Sequence, residues 1–196
     1  MRTRDEQKEL LVKEKAIELL VKLGFDGFSM QKLAKEAGIS PATLYIYYTD
    51  KDDLIEKLGM ELGERFYDTM MDGFAPEMSL REGLKKQWEN RARYMLSHPM
   101  EAGAFEVIRH SPVGNRVMQA TTKLISPVMA EFTHNAIAKK ELQPMDLEAY
   151  WSITYGPLYT LLKFHLDGRS MGMRPFIFSD KIMYDTLELV LKALKP

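Results

Sequence analysis

The 196-residue chain contains no cysteine. That excludes a disulfide framework, a thiol nucleophile and every zinc or iron–sulfur site with cysteine ligands. An excess of one charge is also missing: 27 Lys/Arg stand against 28 Asp/Glu, for a net charge of −1. Taken alone, that balance points to no nucleic-acid partner. The longest uncharged stretch, residues 149–162, is too short to cross a bilayer and suits a buried helix. The first residues are charged and lack the apolar core of a secretory signal. A soluble, cytoplasmic protein without a membrane partner is therefore expected. No sustained alternation of β-branched residues occurs, and no Asn-Gly or Asp-Gly hairpin turn joins strand-like segments. There is no glycine-rich phosphate loop, because Gly24-Phe25-Asp26-Gly27 is only a turn. The four histidines form no triad or metal cluster in sequence, so no cofactor and no enzymatic activity are expected.

What is present reads as all-α. A first helix over about residues 5–23 carries Val12, Ala16, Leu19, Leu20 and Leu23 as one apolar stripe, with Gly24 placed to end it. Ser29 can cap a second helix to about residue 36, with Leu33 and Ala34 inward. Ala37-Gly38-Ile39 follows as a three-residue turn, glycine supplying the positive φ and isoleucine an apolar plug. Ser40-Pro41 opens a short uncharged third helix over about residues 41–48. Asp50 caps a long fourth helix to about residue 73, with Leu54, Leu58, Leu62, Phe66 and Met70 at i+4 steps. Five further helices are predicted near 80–97, 101–108, 115–140, 146–167 and 179–194, about nine in total. Pro127 and Pro157 should kink or split two of them. The Gly-, Ser- and Met-rich loop 168–175 is expected to be mobile. Short helices give way to long ones near residue 50, which predicts an N-terminal three-helix domain over 1–50 and a larger helical domain over 51–196.

Two helices joined by a three-residue glycine turn make a helix-turn-helix, whose second helix can lie in the major groove. Leu44 and Tyr48, four residues apart, should point into the three-helix core. The opposite side offers Ala42, Thr43 and Ile46 flanked by Tyr45 and Tyr47. Small residues allow close approach to base edges, Thr43 and Ile46 suit a thymine methyl, and tyrosine hydroxyls suit phosphate oxygens. Ser29 can present a hydroxyl and helix N-terminal amides to phosphate, Gln31 can read an adenine edge, and Lys51 is placed to pin the backbone. Spacing alone leaves this open, since the same geometry occurs as plain helix packing.

The stretch Ala16-Ile17-Glu18-Leu19-Leu20, Gly24-Phe25, Phe28-Ser29-Met30, Leu33-Ala34, Ala37-Gly38-Ile39-Ser40, Thr43-Leu44-Tyr45, Tyr47-Tyr48, Lys51 and Leu54 resembles the DNA-binding domain of the tetracycline-repressor (TetR) family. The resemblance covers about residues 10–58. Ala42 stands where many members have glycine, and Tyr48 where phenylalanine is usual. It implies an N-terminal reader joined to a helical ligand-binding and dimerisation domain. The implied activity is that of a transcriptional regulator, most often a repressor, on double-stranded DNA. Residues 1–57 carry ten Lys/Arg against eleven Asp/Glu, so few phosphate contacts and a shallow salt dependence are expected.

Twelve of the fourteen methionines lie beyond residue 50, as core filler or as the lining of an adaptable pocket. Trp88, Arg91, Phe105, Arg109, Met118, Trp151, Tyr155 and Tyr159 are candidates for a mostly apolar effector cavity, with either arginine as an anchor for an anion. The helices near 146–167 and 179–194 look apolar on more than one face, through Ile153, Leu158, Leu161, Leu162 and Phe164, then Ile182, Leu187, Val190 and Leu191. Pairing with the same helices of a second copy would bury them and give a two-fold homodimer, matched to a palindromic operator. A small-molecule effector would then bind a state whose readers are wrongly spaced for DNA, with the fourth helix as lever. Two rival readings exist: a ferritin-like carboxylate–metal enzyme built on Glu131-x-x-His134, and a helical interaction module without DNA binding.

Overall fold

The computed structural model describes residues 2–196, with side chains from residue 6 onward. Among them it contains nine α-helices and no strand: α1 (Arg2–Gly27), α2 (Met30–Glu36), α3 (Pro41–Tyr47), α4 (Lys51–Met71), α5 (Leu80–Ser97), α6 (Pro99–Arg109), α7 (Gly114–Ala138), α8 (Leu147–Leu166) and α9 (Asp180–Leu194). The all-α reading and the count of helices hold.

The described chain divides into two units. One comprises residues 1–65 with 98–123, the other 66–97 with 124–196. This division by packing differs from the boundary near residue 50, because α4 up to Arg65 and all of α6 pack with α1–α3.

In the first unit, Leu20, Leu33, Leu44, Leu54 and Ile55 are fully enclosed. They draw one side chain or more from each of the first four helices, which fixes α1, α2 and α3 on α4. Val12, Ala16 and Leu19 are buried as expected, but Leu23 is exposed. Gly24 adopts φ 68°, ψ 179°, which ends the regular helix and turns the chain just after Leu23. Gly59 and Gly63, one turn apart on α4, face Val117 and Thr121, one turn apart on α7. A Cβ on Gly63 would lie 2.1 Å from the Thr121 methyl. The two helices therefore meet closer than any side chain would permit.

In the second unit, Trp88, Phe132, Tyr155, Leu158, Leu162, Leu187 and Leu191 belong to one core shared by α5, α7, α8 and α9. Neither Pro127 nor Pro157 splits its helix, since α7 and α8 run through both without a residue leaving helical geometry. Packing of the flanking turns outweighs the one hydrogen bond each proline removes. Loop 168–175 carries hydrogen bonds of its own. Ser170 N–H donates to the Arg174 carbonyl at 2.7 Å, Phe176 N–H donates to Gly168, and Met171–Met173 forms a single 3-10 turn. No helix among the described residues is long and apolar enough to cross a membrane.

Candidate functional site

The helix-turn-helix is assembled from local signals. Ser29 caps α2, its hydroxyl oxygen accepting the Lys32 N–H at 3.3 Å. At the other end Gly38 (φ 65°) closes a Schellman turn. Its N–H donates to Lys35, and the Ile39 N–H donates to Ala34. Ile39 then packs against the core as the expected plug. Ser40 caps α3 by accepting the Thr43 N–H at 3.2 Å, and Pro41 occupies the first helical position.

These caps set the rotation of α3. Leu44 and Tyr48 face inward and are buried, so Tyr45, Ile46 and Tyr47 face outward. Ile46 is 75% exposed. An isoleucine so displayed, between two half-exposed tyrosines on a helix without charge, has no role in this fold's packing. Ala42 is exposed beside them. Thr43 is half-buried, and its hydroxyl lies 2.9 Å from the Ser40 hydroxyl, leaving its methyl as the freer group. Gln31 is exposed on α2. Burial pushes the Tyr48 phenol up, so it stays neutral.

Lys51 stands apart from the other candidates. Its ammonium donates to the Phe25 carbonyl at 2.6 Å and lies 3.7 Å from the centre of the Phe25 ring. Several other cations in the unit also have partners within it. Lys32 donates to the Gly27 carbonyl, Lys57 pairs with Asp53, Lys13 with Glu9 and Glu61, and Lys15 with Glu18. Lys22 and Lys35 are exposed on α1 and α2. Two acids of the unit are paired as well, Glu18 with Lys15 and Glu56 with Arg116.

Residues 14–58 match the family model described as "Bacterial regulatory proteins, tetR family". Over those residues the chain is similar to the DNA-binding domain of the TetR family. A Haemophilus influenzae protein named as an uncharacterized HTH-type transcriptional regulator is 30% identical over 81 residues, 41% of this chain and 43% of the relative. The fatty acid metabolism regulator protein of Bacillus subtilis is 26% identical over 77 residues, 39% of this chain and 40% of the relative. The alignments thus span less than half the length of these curated relatives. Among solved structures, a TetR family transcription regulator from Marinobacter aquaeolei is 26% identical with a TM-score of 0.84, covering 100% of this chain and 99% of that one. A TetR-family protein from Vibrio parahaemolyticus, 23% identical with a TM-score of 0.77 over 96% and 99%, shares the fold.

The effector candidates fall in both units. Phe105, Arg109 and Met118 belong to the first, and Arg109 is exposed and paired with Glu106. Trp88, Arg91, Trp151, Tyr155 and Tyr159 come together in the second. The Trp88 indole N–H donates to the Thr154 carbonyl at 2.9 Å, the Arg91 guanidinium donates to the Tyr159 hydroxyl at 2.6 Å, and Trp151 stacks on Tyr159. None of the eight lines the open groove of about 310 Å³ bordered by Glu89, Arg93, Leu96, Phe178, Met183 and Tyr184. Tyr150 and Thr154, beside this group, were not singled out by sequence reasoning. Their i, i+4 spacing inside the uncharged stretch was the available signal.

The dimer residues expected on α8 and α9 need correction. Leu158, Leu162, Leu187, Val190 and Leu191 are consumed by packing within the chain. The large apolar side chains left outward include Leu147, Trp151 and Leu166 on α8, Ile177 before α9 and Leu189 on it. As for the metal reading, Glu131 and His134 are both exposed, and among the described residues no three His, Asp or Glu side chains converge.

Proposed function

We propose that this chain is a sequence-specific DNA-binding transcriptional regulator of the TetR family, acting in the cytoplasm as a repressor. It binds a palindromic operator as a homodimer and leaves it when a small effector occupies the second unit. The observation that carries the reading is the outward face of α3. Ala42, Thr43, Tyr45, Ile46 and Tyr47 form an uncharged, partly apolar surface on a capped seven-residue helix, and such a surface suits methyl and base-edge contacts in a major groove. Ser29 and Gln31 at the start of α2 supply a phosphate contact and a polar reader. Lys51 serves first to hold Phe25, and its remaining N–H groups face any phosphate that approaches.

The dimer is supported by Leu147, Leu166 and Leu189, large apolar side chains on two long helices left to solvent. Effector response is supported by the construction of α4, one helix whose residues up to Arg65 belong to the first unit and the rest to the second. Any ligand that favours one setting of such a helix must bind the operator-bound dimer less tightly, by the same factor.

Fluorescence anisotropy tests the reading, using labelled duplexes selected from genomic fragments by the native protein. The native chain should bind selected duplexes with a Kd of about 10⁻⁸ M or tighter. A Thr43→Ala/Tyr47→Ala variant of unchanged melting temperature should bind them no better than random sequence. A selection that enriches nothing removes the proposal and favours the interaction module.

A further inference from the structure

Arg91 is 5% exposed, and its guanidinium remains charged at any physiological pH. Burying such a charge is costly unless an anion neutralises it. Among the described residues no carboxylate pairs with Arg91. One terminal N–H donates to the Tyr159 hydroxyl, Nε has no hydrogen-bond partner, and the other neighbours are the faces of Tyr155 (4.1 Å to the ring centre), Phe66 (5.5 Å) and Tyr159 (5.9 Å). Ring faces offset part of the cost by cation–π attraction. They do not satisfy Nε.

The hydroxyls nearby share the same deficit. Tyr150 Oη, Tyr155 Oη and Thr154 Oγ1 are buried without a well-formed hydrogen bond, and interact with one another and with Arg91. Tyr150 and Tyr155 meet edge-to-face at 6.4 Å, which links them to the ring over Arg91. Burial pushes both phenols far up, so they are neutral O–H donors rather than counter-ions. A buried cation whose Nε is unpaired, among several protonated hydroxyls and no carboxylate, carries a surplus of donors that an oxyanion would complement.

We propose that Arg91 anchors the carboxylate of an organic acid, with the Tyr155, Tyr159 and Tyr150 hydroxyls as supporting donors. This rests on the effector-responsive reading above and names the effector's chemical class. A single positive charge matches a monoanion; a phosphate dianion would leave surplus negative charge among aromatic rings. The surroundings also specify an apolar body for the acid. Trp88 and Phe66 flank the site, and Trp151, 49% exposed, stacks on Tyr159 at 5.8 Å with the rings 19° from parallel. Arg109 is unsuited to this role, since Glu106 already neutralises it at the surface.

Thermal melting of the full-length chain tests the site. The probes are octanoate, decanoate, benzoate and 1-naphthoate, each against its primary amide, with sodium chloride as the ionic control. At least one acid should raise the native melting temperature by about 5 °C at a hundredfold excess over its Kd, and its amide should not. Arg91→Met should melt within a degree or two of the native chain, or higher, and lose the acid shift. Tyr159→Phe, which keeps the ring, should show a reduced shift; it carries the test should Arg91→Met not fold. No shift with any acid, an equal shift with amide or chloride, or a full shift in Arg91→Met overturns the proposal. Anisotropy on the same samples separates the two claims. DNA binding without acid stabilisation removes only the anion site, and acid stabilisation in a chain that selects no DNA removes only the regulator.

Discussion

The Lys51 ammonium donates to the Phe25 carbonyl at 2.6 Å and sits over the Phe25 ring, tying the first turn of α4 to the end of α1 across 26 residues of chain. The carbonyl is available because Gly24 has broken the helix just before it. The same carbonyl also accepts the Phe28 N–H at 3.3 Å. A charged donor on a carbonyl is worth about 1.5–3 kcal/mol, less here because the lysine is only half-buried. Lys51→Met should therefore lower the unfolding free energy of the DNA-free protein by about 1–2 kcal/mol in a urea titration. A lysine that served DNA phosphates alone would leave that titration unchanged.

Ile46 behaves oppositely. With 75% of its surface exposed, Ile46→Ala should change stability by no more than about 0.5 kcal/mol. On selected duplexes it should cost about 1–3 kcal/mol of discrimination at one base position. Melting curves and anisotropy on single-substituted duplexes read the two effects separately.

The crossing of α4 and α7 is sensitive to one methyl group. In Gly63→Ala the new Cβ meets the Thr121 methyl at 2.1 Å. Overpacking should cost about 1–3 kcal/mol, which exceeds the roughly 1 kcal/mol that alanine gains in helix propensity. Adding Thr121→Ser, which removes that methyl, should restore a large part of the loss. Calorimetric melting of the single and double variants checks this.

Asp53 should give the start of α4 a pH-dependent contribution. Its carboxylate accepts the Thr49 N–H at 2.9 Å and pairs with Lys57, and these hold its pKa below the ordinary carboxylate value. The folded state thus favours the ionised form. The contribution is present at neutral pH and is lost as pH falls from about 4 through the lowered folded value. Asp53→Asn should be less stable than the native chain at pH 7 and indistinguishable from it near pH 2. A gap that widened on acidification would contradict the arrangement.

Internal pairing of Lys13, Lys15, Lys32 and Lys57 leaves few cations free for phosphates. The slope of log Kd against log salt should therefore match only a few phosphate contacts per reader, at about 0.9 per contact. Anisotropy between 50 and 200 mM salt measures it. A steep slope like that of a heavily cationic protein would require these ion pairs to open on DNA.

Much of the first unit was legible because its signals are local. Ser29 and Ser40 as caps, Gly38 in its turn, and Leu44 and Tyr48 one turn apart each act within five residues of themselves. The backbone demands they meet are the same in any surroundings. Periodicity places Leu23 on the apolar stripe but does not show that the last turn of the stripe stays open to solvent. Neither Pro127 nor Pro157 ends its helix, because a propensity rule omits the packing that holds both flanking turns.

The amino-acid sequence by itself determined that the chain is helical, to within a few residues where its helices lie, and which face of α3 turns outward. Those follow from caps, turns and 3.6-residue periodicity, all short-range. Only the tertiary structure decided that Lys51 belongs to Phe25, that Leu158, Leu162, Leu187 and Leu191 are spent inside the chain, and that Arg91 rather than Arg109 is the buried cation. A long or apolar side chain declares what it needs in its own chemistry. Which partner meets that need depends on segments tens of residues away, brought close only when the helices pack.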